Sequence, residues 1–166
     1  LKARGEFALV TERLEGALDK PGQPVNFGTM AHDHVMYMML TECAVEMRDE
    51  AALNKWAARL MEVAQRDDHK LYTAIAARGL GVAQRIAKRL DESEASLEQA
   101  LGIFTGLGAR WQRGRTLMEL AELQTNQPRK RKARAREQLS EAVAIFEDMG
   151  SAPYAAKARQ ALDALG

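Results

Sequence analysis

One cysteine, few β-branched residues, no long apolar run and no excess of either charge mark this 166-residue sequence, and each shortage excludes something. The lone Cys43 allows no intramolecular disulfide and no cysteine cluster for zinc, which fits a reducing, cytoplasmic setting. Val, Ile and Thr together number 18 against 29 Ala and 19 Leu, which favours helix over strand. No apolar stretch approaches the roughly 18 residues of a membrane span. The opening Leu1-Lys2-Ala3-Arg4-Gly5-Glu6 is no signal peptide. With a net charge of +1 there is no global field that selects nucleic acid or a lipid surface as partner. An initiator Met is also missing, so the chain is expected to be a piece of a longer protein. What remains, 46% hydrophobic and 28% charged residues, is the balance of a folded domain rather than a disordered or collagen-like chain.

The chain repeats itself. Leu97-Glu98-Gln99-Ala100-Leu101-Gly102-Ile103-Phe104 aligns with Leu139-Ser140-Glu141-Ala142-Val143-Ala144-Ile145-Phe146 at a spacing of 42 residues. A 40-residue spacing links Leu40-Thr41, Leu80-Gly81 and Leu120-Ala121. Periods of this size signal stacked structural repeats. Inside each copy apolar residues recur every three or four positions, as in Leu53, Ala57, Leu60 and Met61, so each copy is helical. Breakers separate the runs: Pro21, Gly22 and Pro24, then Arg48-Asp49, Asp67-Asp68, Gly106 and Gly108, Asn126 and Pro128, and Gly150 and Pro153. Eight helices follow, near 2–18, 29–47, 50–66, 69–88, 91–105, 109–124, 130–148 and 152–164.

These features resemble the tetratricopeptide repeat, in the long form of about 40 residues found in bacterial signal-transduction ATPases and large transcriptional regulators. The Leu-small pair stands as Leu80-Gly81 and Leu120-Ala121, and less well as Leu40-Thr41. The second-helix set stands as Phe7, Val10, Leu14 and Ala17, then Leu90, Ser93, Leu97 and Ala100, then Lys132, Ala135, Leu139 and Ala142. The pattern departs at Leu60, where a small residue is expected, and at Lys132, where an aromatic or Leu is expected. The resemblance implies an all-α, right-handed superhelical stack of antiparallel helix pairs forming a single domain over 1–166. Its parts would be the second half of a truncated repeat (1–20), repeats at 28–66, 69–106 and 109–149, and a capping helix at 152–166. Small residues belong at the close helix crossings, and Gly81, Ala100, Ala121 and Ala142 fit that role. The stripe Phe7, Val10, Leu14 and Leu18 lacks its first-half partner in this chain. An upstream helix, or a second copy docked through the exposed N-terminal helix, would cover it.

Chemistry-bearing residues are sparse. His32-Asp33-His34 has metal-ligand residue types, yet on a helix two residues two apart point about 200° apart. The bland reading is a polar flank at a helix start, and no metal or cofactor is expected. Met36, Leu40, Cys43 and Met47 fall on one helical stripe and read as core, with Met38 off it. No phosphate loop, zinc-protease helix or nucleophile elbow is present, so no enzyme activity is expected. The segment Arg129, Lys130, Arg131, Lys132, Ala133, Arg134, Ala135, Arg136 holds six basic residues in eight, and removing them from the net +1 leaves the rest near −5. It has no interleaved aromatic to stack bases, so a solvated loop is expected there before a protein contact, and nucleic acid last. By analogy with the resembled family, the working surface is the concave face. Its lining would be Met38, Glu42, Arg78, Val82, Arg85, Arg115, Met118 and Glu122. Three arginines in that set imply a protein or peptide partner carrying some negative charge, or a neighbouring domain of the same protein.

Overall fold

A computed structural model describes residues 5–18, 31–125 and 129–166, apart from the side chains of residues 31, 32, 129 and 130. The described chain is all helical, with eight helices in order: α1 Phe7–Leu18, α2 Ala31–Met47, α3 Glu50–Arg66, α4 Lys70–Ile86, α5 Leu90–Gly106, α6 Arg110–Gln124, α7 Arg129–Asp148 and α8 Ala152–Asp163. The expected ends hold to within a few residues. The exceptions are the starts of the first two helices, expected near residues 2 and 29, which lie outside the described residues. Consecutive helices pack against one another, and α2 also touches α4 and α4 touches α6. The even-numbered helices therefore lie on one side, in direct contact from α2 through α6, and the odd-numbered helices on the other. The result is a solenoid-like stack whose inner side is the even-numbered layer.

The origin of the period lies in the turns. Helices α3, α4 and α5 are each 17 residues long, and three residues separate each from the next helix. The residue two before the next helix takes a left-handed conformation every time: Arg48 at φ 55°, Asp68 at 50°, Lys88 at 63°, Gly108 at 64° and Gly150 at 65°. The first four are spaced by 20 residues, half the sequence period. At each turn the left-handed residue's N–H bonds the carbonyl three residues back, and the next N–H bonds the carbonyl five back. Asp68 to Gln65 and His69 to Ala64 are one such pair. That is the Schellman ending of a helix, and here the residue that completes it also opens the following helix. Only Asp49 adds a side-chain cap among these turns, accepting from the Ala52 N–H at 3.0 Å.

Left-handed backbone costs a non-glycine residue about 1–2 kcal/mol, partly offset because glycine loses more freedom on folding. Lys88→Gly is therefore expected to raise the unfolding free energy by about 0.5–1 kcal/mol in urea denaturation, with Lys88→Ala giving no gain.

Packing between the layers depends on small residues. Gly81, Ala100, Ala121 and Ala142 are all buried. A Cβ on Gly81 would stand 2.7 Å from Leu97 Cγ, and the Ser93 hydroxyl donates to the Gly81 carbonyl at 2.7 Å. Gly79 is equally constrained, because a Cβ there would lie 2.6 Å from Thr41 Cγ2 and 2.9 Å from Ala57 Cβ. Leu40, Leu53, Leu60, Leu97, Phe104, Leu120, Leu139 and Phe146 fill the space around these crossings. Helix α1 sits on α2 and reaches α3, where the Trp56 indole N–H donates to Glu15 at 3.0 Å.

Candidate functional site

The inner layer brings together charges that lie far apart in sequence. Glu42 of α2 is 2% exposed and accepts from both Arg78 of α4 and Arg115 of α6. Arg78 also donates to the Gln112 side chain at 2.6 Å and lies over the Phe104 ring. Burial pulls the Arg78 guanidinium down to about 10 against the pull of Glu42, so it keeps its charge at neutral pH. Burial also works against the charge on Arg115, but Glu42, Tyr154 and Glu46 outweigh it and hold that guanidinium above its ordinary value. Arg115 continues the chain of contacts to Glu46 at 2.8 Å. Glu46 is met from α8 by the Tyr154 hydroxyl at 3.1 Å and the Lys157 ammonium at 3.4 Å.

A second group closes on itself. Glu119 and Glu122 of α6 each meet both Arg48 and Arg85, at 2.6 to 2.8 Å, forming a ring of alternating charge. Arg48 makes its two contacts from the α2–α3 turn, in its left-handed conformation. Through these pairs α2, α4, α6 and α8 are cross-linked along the inner face. Buried ion pairs of this kind contribute little net stability, yet losing one partner is costly.

Burial alone would raise the Glu46 carboxyl, but Arg115, Lys157 and the hydrogen bonds from Tyr154 and Lys157 hold it below its ordinary value of 4.5. Its ionised form therefore stabilises the fold above that pH, and the contribution is lost as pH falls through the lower folded value. In a comparison of the wild type with Glu46→Gln, the wild type's advantage in unfolding free energy is expected to shrink from about pH 6 to about pH 3.

Two depressions adjoin this network. One is a cavity of about 290 Å³ between α6, α7 and α8, floored by Met118, Leu139 and Ala161, with Arg48, Glu119, Glu122 and Lys157 among its polar residues. The other is a more open cleft of about 640 Å³ lined by residues from both ends of the chain. Gly5 and Phe7 line it from the start of the chain, and Trp111, Pro153 and Tyr154 from α6 and α8. Trp111, Phe146 and Tyr154 form an aromatic group beneath it, with Trp111 and Tyr154 edge to face at 4.6 Å between centroids.

The eight residues expected along the concave face do sit on α2, α4 and α6, but most are not open to a partner. Arg78, Arg85 and Arg115 are engaged by Glu42, Glu46, Glu119 and Glu122 of the same chain. Val82 is fully buried and Met38 packs half-buried against the core around Leu60 and Ile75. Met118 lines the smaller cavity, and Glu122 remains half exposed at its edge.

The basic segment forms the first turns of α7 rather than a free loop. Arg131 meets Glu94, Arg134 meets Glu94 and Glu98 of α5, Arg136 donates to the Gly166 carbonyl, and Lys132 is exposed. The side chains of Arg129 and Lys130 lie outside the described residues, as do Met30 and the His32 side chain. His34 is not a polar flank. It is 3% exposed, within 3.1 Å of Asp67 and 3.3 Å of the Val63 carbonyl, and it stacks on Tyr72. Among the described residues no group of three or more His, Cys, Asp and Glu could hold a metal. Cys43 is buried.

Fold and inner face together define a class: an all-helical stack whose even-numbered helices are tied by ion pairs, with an aromatic cleft lined by residues from both ends of the chain. No protein-family model matches the chain, and no curated protein matches its sequence. No helix among the described residues is long and apolar enough to cross a membrane.

Proposed function

We propose that the chain is a non-catalytic, protein-binding module of the tetratricopeptide type, serving as a scaffolding segment of a larger cytoplasmic bacterial regulator. The observation that carries this reading is the open cleft lined by Phe7, Trp111, Pro153 and Tyr154. Trp and Tyr dominate the energetics of protein interfaces, because a rigid aromatic surface gains contact area at low entropic cost. The occupant that fits is an extended partner segment presenting one apolar side chain, with the exposed Lys157 beside it for a backbone carbonyl or a flanking negative charge. The inner arginines support the stack and leave recognition to this cleft.

Panning a random peptide library against the wild type and against Pro153→Glu tests the reading. Pro153 is exposed at the first turn of α8, where an acidic residue suits the helix dipole, so the variant keeps its fold while charging the cleft. Peptides with a large apolar anchor are expected to be enriched on the wild type and lost on the variant. Absence of enrichment, or equal enrichment on both, would contradict it.

The smaller cavity beside the cleft favours a second reading, a small-ligand sensor that controls an adjacent ATPase, cyclase or transcriptional output domain.

A further inference from the structure

We infer that the cavity between α6, α7 and α8 takes a medium-chain carboxylic acid, with its tail on the apolar floor and its carboxylate at Lys157. The inference rests on the sensor reading of that cavity and not on peptide docking in the cleft. Met118, Leu139 and Ala161 offer the tail a floor without hydrogen-bonding groups, and Ala164, just past the end of α8, also lines the space. A volume of about 290 Å³ is at the small end for ligand sites and suits a tail of about six to eight carbons rather than a nucleotide or a sterol.

The charge of the ligand follows from the pairing along the inner face. Five cations, Arg48, Arg78, Arg85, Arg115 and Lys157, meet four carboxylates there. Every one of those carboxylates already touches two cations. Lys157 is the end of the chain of contacts: its ammonium reaches Glu46 only at 3.4 Å and its side chain is 54% exposed. With three N–H donors and one long contact, it has donors to spare for a second carboxylate. A cationic ligand would find no carboxylate that is not doubly paired. The anion and the apolar floor therefore call for one molecule with both features, and a free carboxylic acid is the simplest.

Isothermal titration calorimetry of the whole chain with octanoate, octanol and octylamine tests this. Octanoate is expected to bind saturably and about tenfold more tightly than either of the others. Lys157→Met is expected to remove that tenfold preference and leave octanol unchanged. Ala164→Trp, at an exposed position of the lining, is expected to block all three. Octylamine binding as tightly as octanoate, or an octanoate affinity unaltered in Lys157→Met, would overturn the inference while leaving a ligand-binding cavity. No heat from any of the three would overturn the inference and the sensor reading together. A leucine-terminated peptide acid that binds more tightly than octanoate would overturn the free acid in favour of a chain terminus.

Discussion

Replacing Glu42 with Ala is expected to lower the unfolding free energy by about 3–5 kcal/mol. The reason is not that the ion pairs themselves contribute that much. Arg78 is 1% exposed and Arg115 6%, and both meet the carboxylate of Glu42. Removing that carboxylate leaves two guanidinium groups inside the stack with the same desolvation and less compensation. In a chain of this length each kcal/mol corresponds to about 2–4 °C in Tm, so calorimetry should show a fall of roughly 6–20 °C. A companion variant separates this cause from simple loss of packing. Substituting Glu42→Leu, Arg78→Met and Arg115→Met together removes the charges as a set and is expected to recover most of the loss, because no buried ion is left unpaired.

The second large effect is expected from Phe146→Ala, at about 3–5 kcal/mol. Phe146 is fully buried in α7 and its ring meets Trp111 of α6 and Tyr154 of α8, so it joins three helices and supports both depressions. Its ring also explains a glycine in mid-helix: a Cβ on Gly114 would stand 2.8 Å from Phe146 Cζ and 3.3 Å from Ile145 Cγ2. Gly114→Ala alone is expected to destabilise, since overpacking of about 1–3 kcal/mol exceeds a helix-propensity gain of about 1 kcal/mol. In the Phe146→Ala background only the 3.3 Å approach to Ile145 Cγ2 remains, which a small shift relieves, and the same change is expected to stabilise. Urea denaturation of the four proteins reads this reversal of sign directly.

The helices were legible because each buries one face against its neighbours, so the apolar spacing in stretches such as Leu53, Ala57, Leu60 and Met61 reports the packing. The turns were legible where glycine marks them, at Gly108 and Gly150, and at the polar pairs Arg48-Asp49 and Asp67-Asp68, but the left-handed residue itself was legible only at the glycines. Arg48, Asp68 and Lys88 take the same left-handed conformation, but the backbone bonds of the Schellman ending hold it without a glycine to announce it. The inner face was half legible. Repeat register places Glu42, Arg78 and Arg115 on one layer, but not their mutual contact, which depends on curvature that brings α2 within side-chain reach of α6. The cleft was hidden for the same reason: Phe7 lies more than a hundred residues from Trp111 and Tyr154, and no local pattern says that they line one cleft. His34 was misread because its partners come from the end of α3, at Val63 and Asp67.

The account turns on the inner arginines being structural, held by the chain's own carboxylates rather than offered to a partner. A double-mutant cycle on Glu42 and Arg115, using alanine at each site and urea denaturation, measures that most directly. The expected coupling is about 2–3 kcal/mol. Additivity within about 0.5 kcal/mol would contradict it and return Arg115 to the surface available for an acidic ligand.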